Sequence, residues 1–181
     1  MKSNQVRIIG GHWRSRVIRF PDAPGLRPTP DRLRETLFNW LGQDLTGKTC
    51  LDLFAGSGAL GFEAASRNAR EVVMVERDAG VHRALRETHA VLAASQVELR
   101  RADAESFVKT DARRYDVVFL DPPFGQGLLP KLLDALRPRL ADDAQVYVEA
   151  EAAIDPPAGF EILRRTRAGQ VHGLLIKYSP S

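Results

Sequence analysis

A β-prone run, Leu51-Asp52-Leu53-Phe54, breaks directly into Ala55-Gly56-Ser57-Gly58-Ala59-Leu60-Gly61, and no other stretch restricts the fold of this chain so tightly. Gly56, Gly58 and Gly61 satisfy G-x-G-x-x-G between a strand and a helix, the turn that opens a dinucleotide-binding α/β unit. Glycine suits that turn because backbone must come close to a ligand, and the helix that follows offers free N–H groups and the positive end of its dipole. The plainer alternative is that the glycines only let helix and strand pack closely.

The rest of the chain after Lys48 continues the alternation that such a turn begins. Strands are expected at Thr49 to Phe54, Glu71 to Glu76, Gln96 to Arg101, Tyr115 to Asp121, Ala144 to Glu149, Phe160 to Arg165 and Val171 to Tyr178. Helices fit between them at Ala59 to Asn68, Ala79 to Ala94, Ala104 to Thr110 and Gly127 to Leu140. Runs such as Val72 to Val75 and Val117 to Leu120 suit strands covered on both faces, so the fold class is α/β with a doubly wound, mostly parallel seven-stranded sheet. Asp155 to Gly159 interrupts the alternation, and the last two strands are expected to pair antiparallel at the end of the sheet.

Before Lys48 the pattern differs. Val6 to Ile9 and Arg16 to Phe20, separated by Gly10-Gly11, read as a β-hairpin, and the prolines and glycine of Pro21 to Pro28 read as an irregular connector. Thr29-Pro30-Asp31 reads as a helix start, with the hydroxyl at the N-cap and proline at the first helical position. Leu33, Leu37, Phe38, Trp40 and Leu41 then give an amphipathic helix ending near Gly42.

Charge separates the same two parts. Formal net charge is +3 over 181 residues, but residues 1 to 37 hold eight Lys/Arg, Lys2 among them, against three acids, a local +5 that leaves −2 on the remainder. A basic arm on a near-neutral body suits contact with a polyanion; a merely solvated arm is the alternative. The expected organisation is a basic hairpin arm over residues 1–27 and a catalytic domain over 28–181. No apolar run approaches the roughly 20 residues that span a bilayer, the opening MKSNQVRIIGG has no secretory h-region, and a lone Cys50 permits no internal disulfide. The expectation is a cytoplasmic, metal-free protein with no membrane contact, and a monomer.

Strand ends carry the candidate chemistry. Glu76 falls 20 residues after Gly56 at the end of the second body strand, where a carboxylate can hold the hydroxyls of a ribose. Asp103, after the third, can take a hydrogen bond from an adenine amino group or cap the helix that follows. The fourth strand ends in Asp121-Pro122-Pro123-Phe124. Two prolines fix the backbone and remove competing donors, so Asp121 and the Pro122 carbonyl can together hold an exocyclic amino group, and Phe124 offers a flat face to a flipped purine. A proline-rich strand terminus without chemistry is the plain alternative.

Asp52-Leu53-Phe54-Ala55-Gly56-Ser57-Gly58 together with Asp121-Pro122-Pro123-Phe124 resembles the cofactor and catalytic motifs of S-adenosylmethionine-dependent methyltransferases acting on exocyclic amino groups of bases. Arg7-Ile8-Ile9-Gly10-Gly11, Arg14-Ser15-Arg16, Arg27-Pro28-Thr29 and Arg34-Glu35-Thr36-Leu37-Phe38-Asn39-Trp40-Leu41 narrow this: the chain is similar to the RsmD family, with Ser15 where that family favours glycine. The resemblance implies a Rossmann-like class I methyltransferase fold and methyl transfer from S-adenosyl-L-methionine to N2 of a guanine in 16S rRNA, on naked RNA or the assembling small ribosomal subunit. It implies a cofactor site of Asp52, Phe54, Ala55, Gly56, Gly58, Glu76, Arg77, Asp103, Ala104 and Asp121. Asp52 would orient the glycine loop or meet the cofactor's ammonium group.

In the arm, Arg7, Arg14, Arg16, Arg19 and Arg27 would meet phosphates, and His12 or Trp13 could stack on a base, Trp13 being equally suited to the core. The helix at Pro30 to Leu41 is expected over the cofactor cleft, with Arg34 and Asn39 as inward or exposed polar groups. Three rivals remain. A DNA adenine-N6 methyltransferase shares the Asp121 chemistry, a nicotinamide-dependent oxidoreductase explains the glycines but not Asp121 to Phe124, and a non-catalytic RNA-binding assembly factor explains only the arm.

Overall fold

Strands that are apolar on both faces need cover on both sides, and the computed structural model, which describes residues 4–180, supplies it with helices flanking one seven-stranded sheet. Lys2 of the basic arm lies outside the described residues. In chain order the elements are β1 (Asn4–Arg7), β2 (Val17–Phe20), α1 (Asp31–Leu41), β3 (Thr49–Asp52), α2 (Ala59–Ser66), β4 (Glu71–Glu76), α3 (Ala79–Leu92), β5 (Val97–Arg101), α4 (Ala104–Thr110), β6 (Tyr115–Leu120), α5 (Leu129–Leu136), β7 (Leu140–Ala150), β8 (Phe160–Ala168) and β9 (Val171–Tyr178).

The sheet order is β5-β4-β3-β6-β7-β9-β8, parallel from β5 to β7, with β9 antiparallel to both β7 and β8. The α/β, doubly wound expectation is met, and the strand order reverses between β3 and β6. The last strand inserts beside β7 and leaves β8 at the edge. β1 and β2 pair as a separate antiparallel hairpin.

Side chains alternate across the sheet. Cys50, Val72, Met74, Val117, Phe119, Tyr147 and Leu175 pack beneath α1, α2, α3 and the hairpin. Leu51, Val73, Val75, Val118, Leu120, Val146, Val148 and Leu174 pack on the other face with α4 and α5.

Beyond shifts of up to three residues at the ends of β1, β3, α2, α3 and β8, three expectations change. Thr29 does not cap α1: Pro30 occupies the cap position, and the Thr29 hydroxyl instead donates to Glu149 Oε1 at 2.6 Å. The helix expected at Gly127 to Leu140 is shorter, because Pro138 lacks an N–H and turns the chain into a 3₁₀ segment, Arg137–Arg139. β7 then starts four residues earlier than expected, at Leu140, passing a left-handed Asp143 (φ 61°) and a register shift against β6.

The hairpin is held to the body through the end of α2. Glu63 is fully buried and accepts from the backbone N–H groups of Ile9 (2.9 Å) and Gly10 (2.8 Å). The same carboxylate pairs with Arg34 Nη1 at 3.3 Å and Arg67 Nε at 3.0 Å, both guanidiniums themselves buried. Arg34 also donates to the carbonyls of Thr29 and Arg7, and Arg67 lies 4.9 Å over the Phe38 ring. One turn on, the Ser66 hydroxyl donates to the Gly10 carbonyl and accepts from the Trp13 N–H. Ser15 sits at φ 71°, a conformation glycine takes freely and serine takes at a cost.

Replacing Glu63 takes the buried carboxylate away from two buried guanidiniums and leaves two backbone donors without their acceptor, a loss on the scale of about 3–5 kcal/mol. In urea unfolding, Glu63→Ala is therefore expected to lose that amount, and limited proteolysis should cut it first between residues 9 and 16. A loss below about 1 kcal/mol would show that the anchor is dispensable.

Candidate active site at the carboxyl edge of the sheet

Period-two alternation decides which acids meet. Cys50, Met74, Phe119 and Tyr147 face α1 to α3, so the residues two further along, Asp52, Glu76, Asp121 and Glu149, stand on that side at the carboxyl ends of β3, β4, β6 and β7. The crevice where the strand order reverses, between β3 and β6, is thus lined by carboxyl groups from four adjacent strands.

Asp52 is buried beneath the glycine turn and accepts from the Gly61 N–H at 3.0 Å. Burial pushes its carboxyl up to about 7; the Gly61 hydrogen bond opposes this, and the charges of Glu76 and Glu149 add to it. Glu76 accepts from the Gly56 N–H at 3.0 Å with one oxygen and from the Asp78 N–H at 2.8 Å with the other. Gly58 adopts φ 86° at the N-terminus of α2, and a Cβ there would come within 2.6 Å of the Phe62 ring, so close packing requires that glycine. Around Gly56 the nearest group is the Leu26 side chain, 2.8 Å from where a Cβ would stand, so the connector before α1 overlies the loop. Phe54 is half-buried, and Ala55 is buried with its N–H on the Val75 carbonyl at 2.9 Å.

Asp103 caps α4, accepting from the Ser106 N–H at 3.0 Å, and its residue remains exposed beside buried Ala104. Arg77 is exposed after β4. Of the tetrad, Asp121 is half-buried, Pro122 buried and Pro123 exposed, while Phe124 presents 47% of its surface to solvent. The Asp121 carboxyl is hydrogen bonded to Glu149; desolvation, then the charges of Glu149 and Asp52, hold it well above the ordinary carboxylate range. Glu149, in a motif the sequence does not single out, accepts from the hydroxyls of Thr29 (2.6 Å) and Tyr147 (3.2 Å). The available signal is its spacing, two residues beyond inward Tyr147 at a strand end.

The arm residues are more dispersed. Arg7, His12, Arg14, Arg16, Arg19 and Arg27 are all exposed, whereas Trp13 is buried in the core. The hairpin turn rests on Ser66 and Arg16 reaches the Val91 carbonyl, so Arg14 and Arg16 sit by the C-terminal ends of α2 and α3, at the edge away from the crevice. Arg27 is next to Leu26 over the glycine loop. Arg34 turns inward to Glu63 rather than to the crevice, and Asn39 is exposed beside Gln43.

A family model described as conserved hypothetical protein 95 matches residues 6–177. Ribosomal RNA small subunit methyltransferase D of Escherichia coli (strain K12) is 45% identical over 174 residues, covering 93% of this chain and 88% of that protein. The protein of the same name from Haemophilus influenzae is 40% identical over 175 residues, covering 92% and 91%. Among solved structures, Escherichia coli yhhF superposes with a TM-score of 0.88 at 43% identity, covering 98% of this chain and 100% of that chain.

The raised Asp52 carboxyl has a consequence for stability. A folded-state value near 7 against an ordinary 3.8 means that the native state keeps a proton the unfolded chain has lost, so the folded state loses stability as pH rises between these values. Asp52→Asn, which keeps the acceptor for Gly61 N–H, should match the parent's unfolding free energy near pH 4 and exceed it at pH 8 by at least about 1 kcal/mol. Equal differences at both pH values would refute an ionisable strain at this position.

Proposed function

This chain belongs to the conserved hypothetical protein 95 family, the RsmD family its motifs resemble, and on that premise we propose that it methylates the exocyclic N2 amino group of a guanine in 16S ribosomal RNA, with S-adenosyl-L-methionine as donor. The observation that carries the reading is the meeting, at one reversal of strand order, of the glycine loop, the Glu76 carboxylate and Asp121-Pro122-Pro123 with exposed Phe124.

The residues present fit such a donor. Glu76 spends one lone pair on each oxygen on backbone N–H groups, leaving both oxygens able to accept from a ribose. Gly56 and Gly58, with Phe54 and Ala55, would form the floor for the amino-acid portion, and Asp103, with Arg77 and Ala104, would flank the adenine. When bound, S-adenosyl-L-methionine supplies a methyl group on a cationic sulfur that is already a good leaving group.

Asp121 and the Pro122 carbonyl accept the two N–H bonds of the guanine amino group and so aim the nitrogen lone pair. Phe124 stacks on the flipped base. The main contribution of the protein is orientation, since holding donor and acceptor in line replaces a bimolecular encounter. Asp52 holds the loop through Gly61.

The arm would follow the RNA away from the reacting base. Arg27 stands by the crevice, while Arg14 and Arg16 lie beyond the far end of α2, whose eight residues span about 12 Å. RNA tracking along Arg27, Arg19, Arg7, Arg16 and Arg14, with His12 at the turn, would cover several phosphates. No helix among the described residues is long and apolar enough to cross a membrane.

Labelled methyl donor should mark RNA in undermethylated small-subunit particles and leave duplex DNA unlabelled. Asp121→Ala should lose at least about 100-fold in turnover while S-adenosylhomocysteine affinity stays within a few-fold. Labelled DNA, or undiminished turnover in the variant, would overturn the reading.

A further inference from the structure

Methylating an amino group leaves one proton to be disposed of, and the crevice contains a carboxyl group that the motifs leave without a task. Glu149 is 3% exposed, a burial that an unpaired carboxylate does not sustain. β6 and β7 pair in parallel with Phe119 opposite Tyr147 and Leu120 opposite Val148, so the next step of the register sets Asp121 opposite Glu149. Thr29 and Tyr147 hydroxyls both donate to Glu149 Oε1, and the Asp121 carboxyl hydrogen bonds to Glu149 as well. Thr29 comes from the connector that overlies the glycine loop, so the same contact closes that segment over the acids.

We propose that Glu149 is the positioning and proton-holding partner of Asp121: the two carboxyl groups share one proton, and Glu149 takes it over when Asp121 receives the proton released by the methylated nitrogen. The inference rests on the reading of Asp121 given above. At the start the Asp121 hydroxyl donates to Glu149, while its other oxygen accepts an N–H of the guanine. The nitrogen lone pair forms the new N–C bond, the sulfur–methyl bond breaks with its electron pair staying on sulfur, and the amine becomes cationic. It then gives one proton to the free Asp121 oxygen, and the proton already held passes to Glu149. The sulfonium charge and the single negative charge of the pair cancel, and the extra proton leaves to water with the product.

Groups around the pair are consistent with one shared proton. Asp52 from β3 adds negative charge, Tyr147 on β7 and Thr29 before α1 add hydroxyl donors, and β9 places Gly173, without a side chain, opposite Glu149. Both carboxyl groups are displaced upward, with desolvation as the largest cause in each.

The test separates this role from mere packing and from the identity of the substrate. In the free protein, ¹³C NMR titration of the carboxyl carbons should show Asp121 titrating lower in Glu149→Gln than in the parent, and Glu149 titrating higher in Asp121→Ala, which lacks the hydroxyl that donates to it. Glutamine can still accept from Thr29 and Tyr147 and donate to Asp121, so the fold should persist. In turnover, Glu149→Gln should lower kcat by about 10- to 100-fold with KM for the particle within threefold. Unmoved titrations in both variants would overturn the shared proton even if the enzyme proved active on another nucleic acid. Shifted titrations with unchanged kcat would overturn the proton-holding role. If Glu149→Gln fails to fold, the Asp121→Ala titration decides alone.

Discussion

A single buried carboxylate, Glu63, is the point at which the hairpin, α1 and α2 are tied to one another. It takes two backbone N–H groups from the hairpin, one guanidinium from α1 and one from its own helix. Ionised groups without exposure are expensive unless fully paired, and here every partner is supplied, so the cost of burial becomes a constraint on geometry. Because α2 starts at the glycine turn and carries this carboxylate in its second turn, the helix links the hairpin anchor to the floor of the crevice. The connector from the hairpin to α1 is then held over the turn, where Leu26 touches Gly56 and Thr29 reaches Glu149.

The opposite end of α2 follows a different rule. Asp52, Glu76, Asp121 and Glu149 gather at one edge, and the upward shifts at Asp52, Asp121 and Glu149 come first from desolvation, to which neighbouring acid charges add at Asp52 and Asp121. A sheet built only for stability would place apolar residues at these four ends. Clustered, desolvated carboxyl groups at a reversal of strand order instead suit a cationic donor and an amino group that must lose a proton. The stability spent here is offset by the core beneath, where two faces of alternating aliphatic and aromatic side chains are closed.

Local chemistry was legible where it acts alone. β4, β9 and α4 have the bounds their residues imply, since apolar runs and an Asp103 cap act within a few positions. The seven-stranded, mostly parallel sheet follows from the alternation of such runs with helices. What could not be read depends on distant partners. Thr29 looks like an N-cap until Glu149, 120 residues later, takes its hydroxyl. Arg34 looks like a surface or cleft cation until Glu63 appears beside it, and the acidic start of β7 at Asp142 and Asp143 conceals a strand that bulges. The tetrad and glycine turn are visible as motifs, but Glu149 acquires meaning only from the β6–β7 register.

The central claim is that the acids at this sheet edge receive an exocyclic amino group of guanine. The most direct measurement replaces the guanosine that accepts the methyl group, once mapped in the small-subunit RNA, with inosine, which lacks only that amino group, and follows methyl incorporation at that position. The account predicts that incorporation there disappears while binding of the particle is retained. Methylation of the inosine-containing site at the parent rate would contradict it.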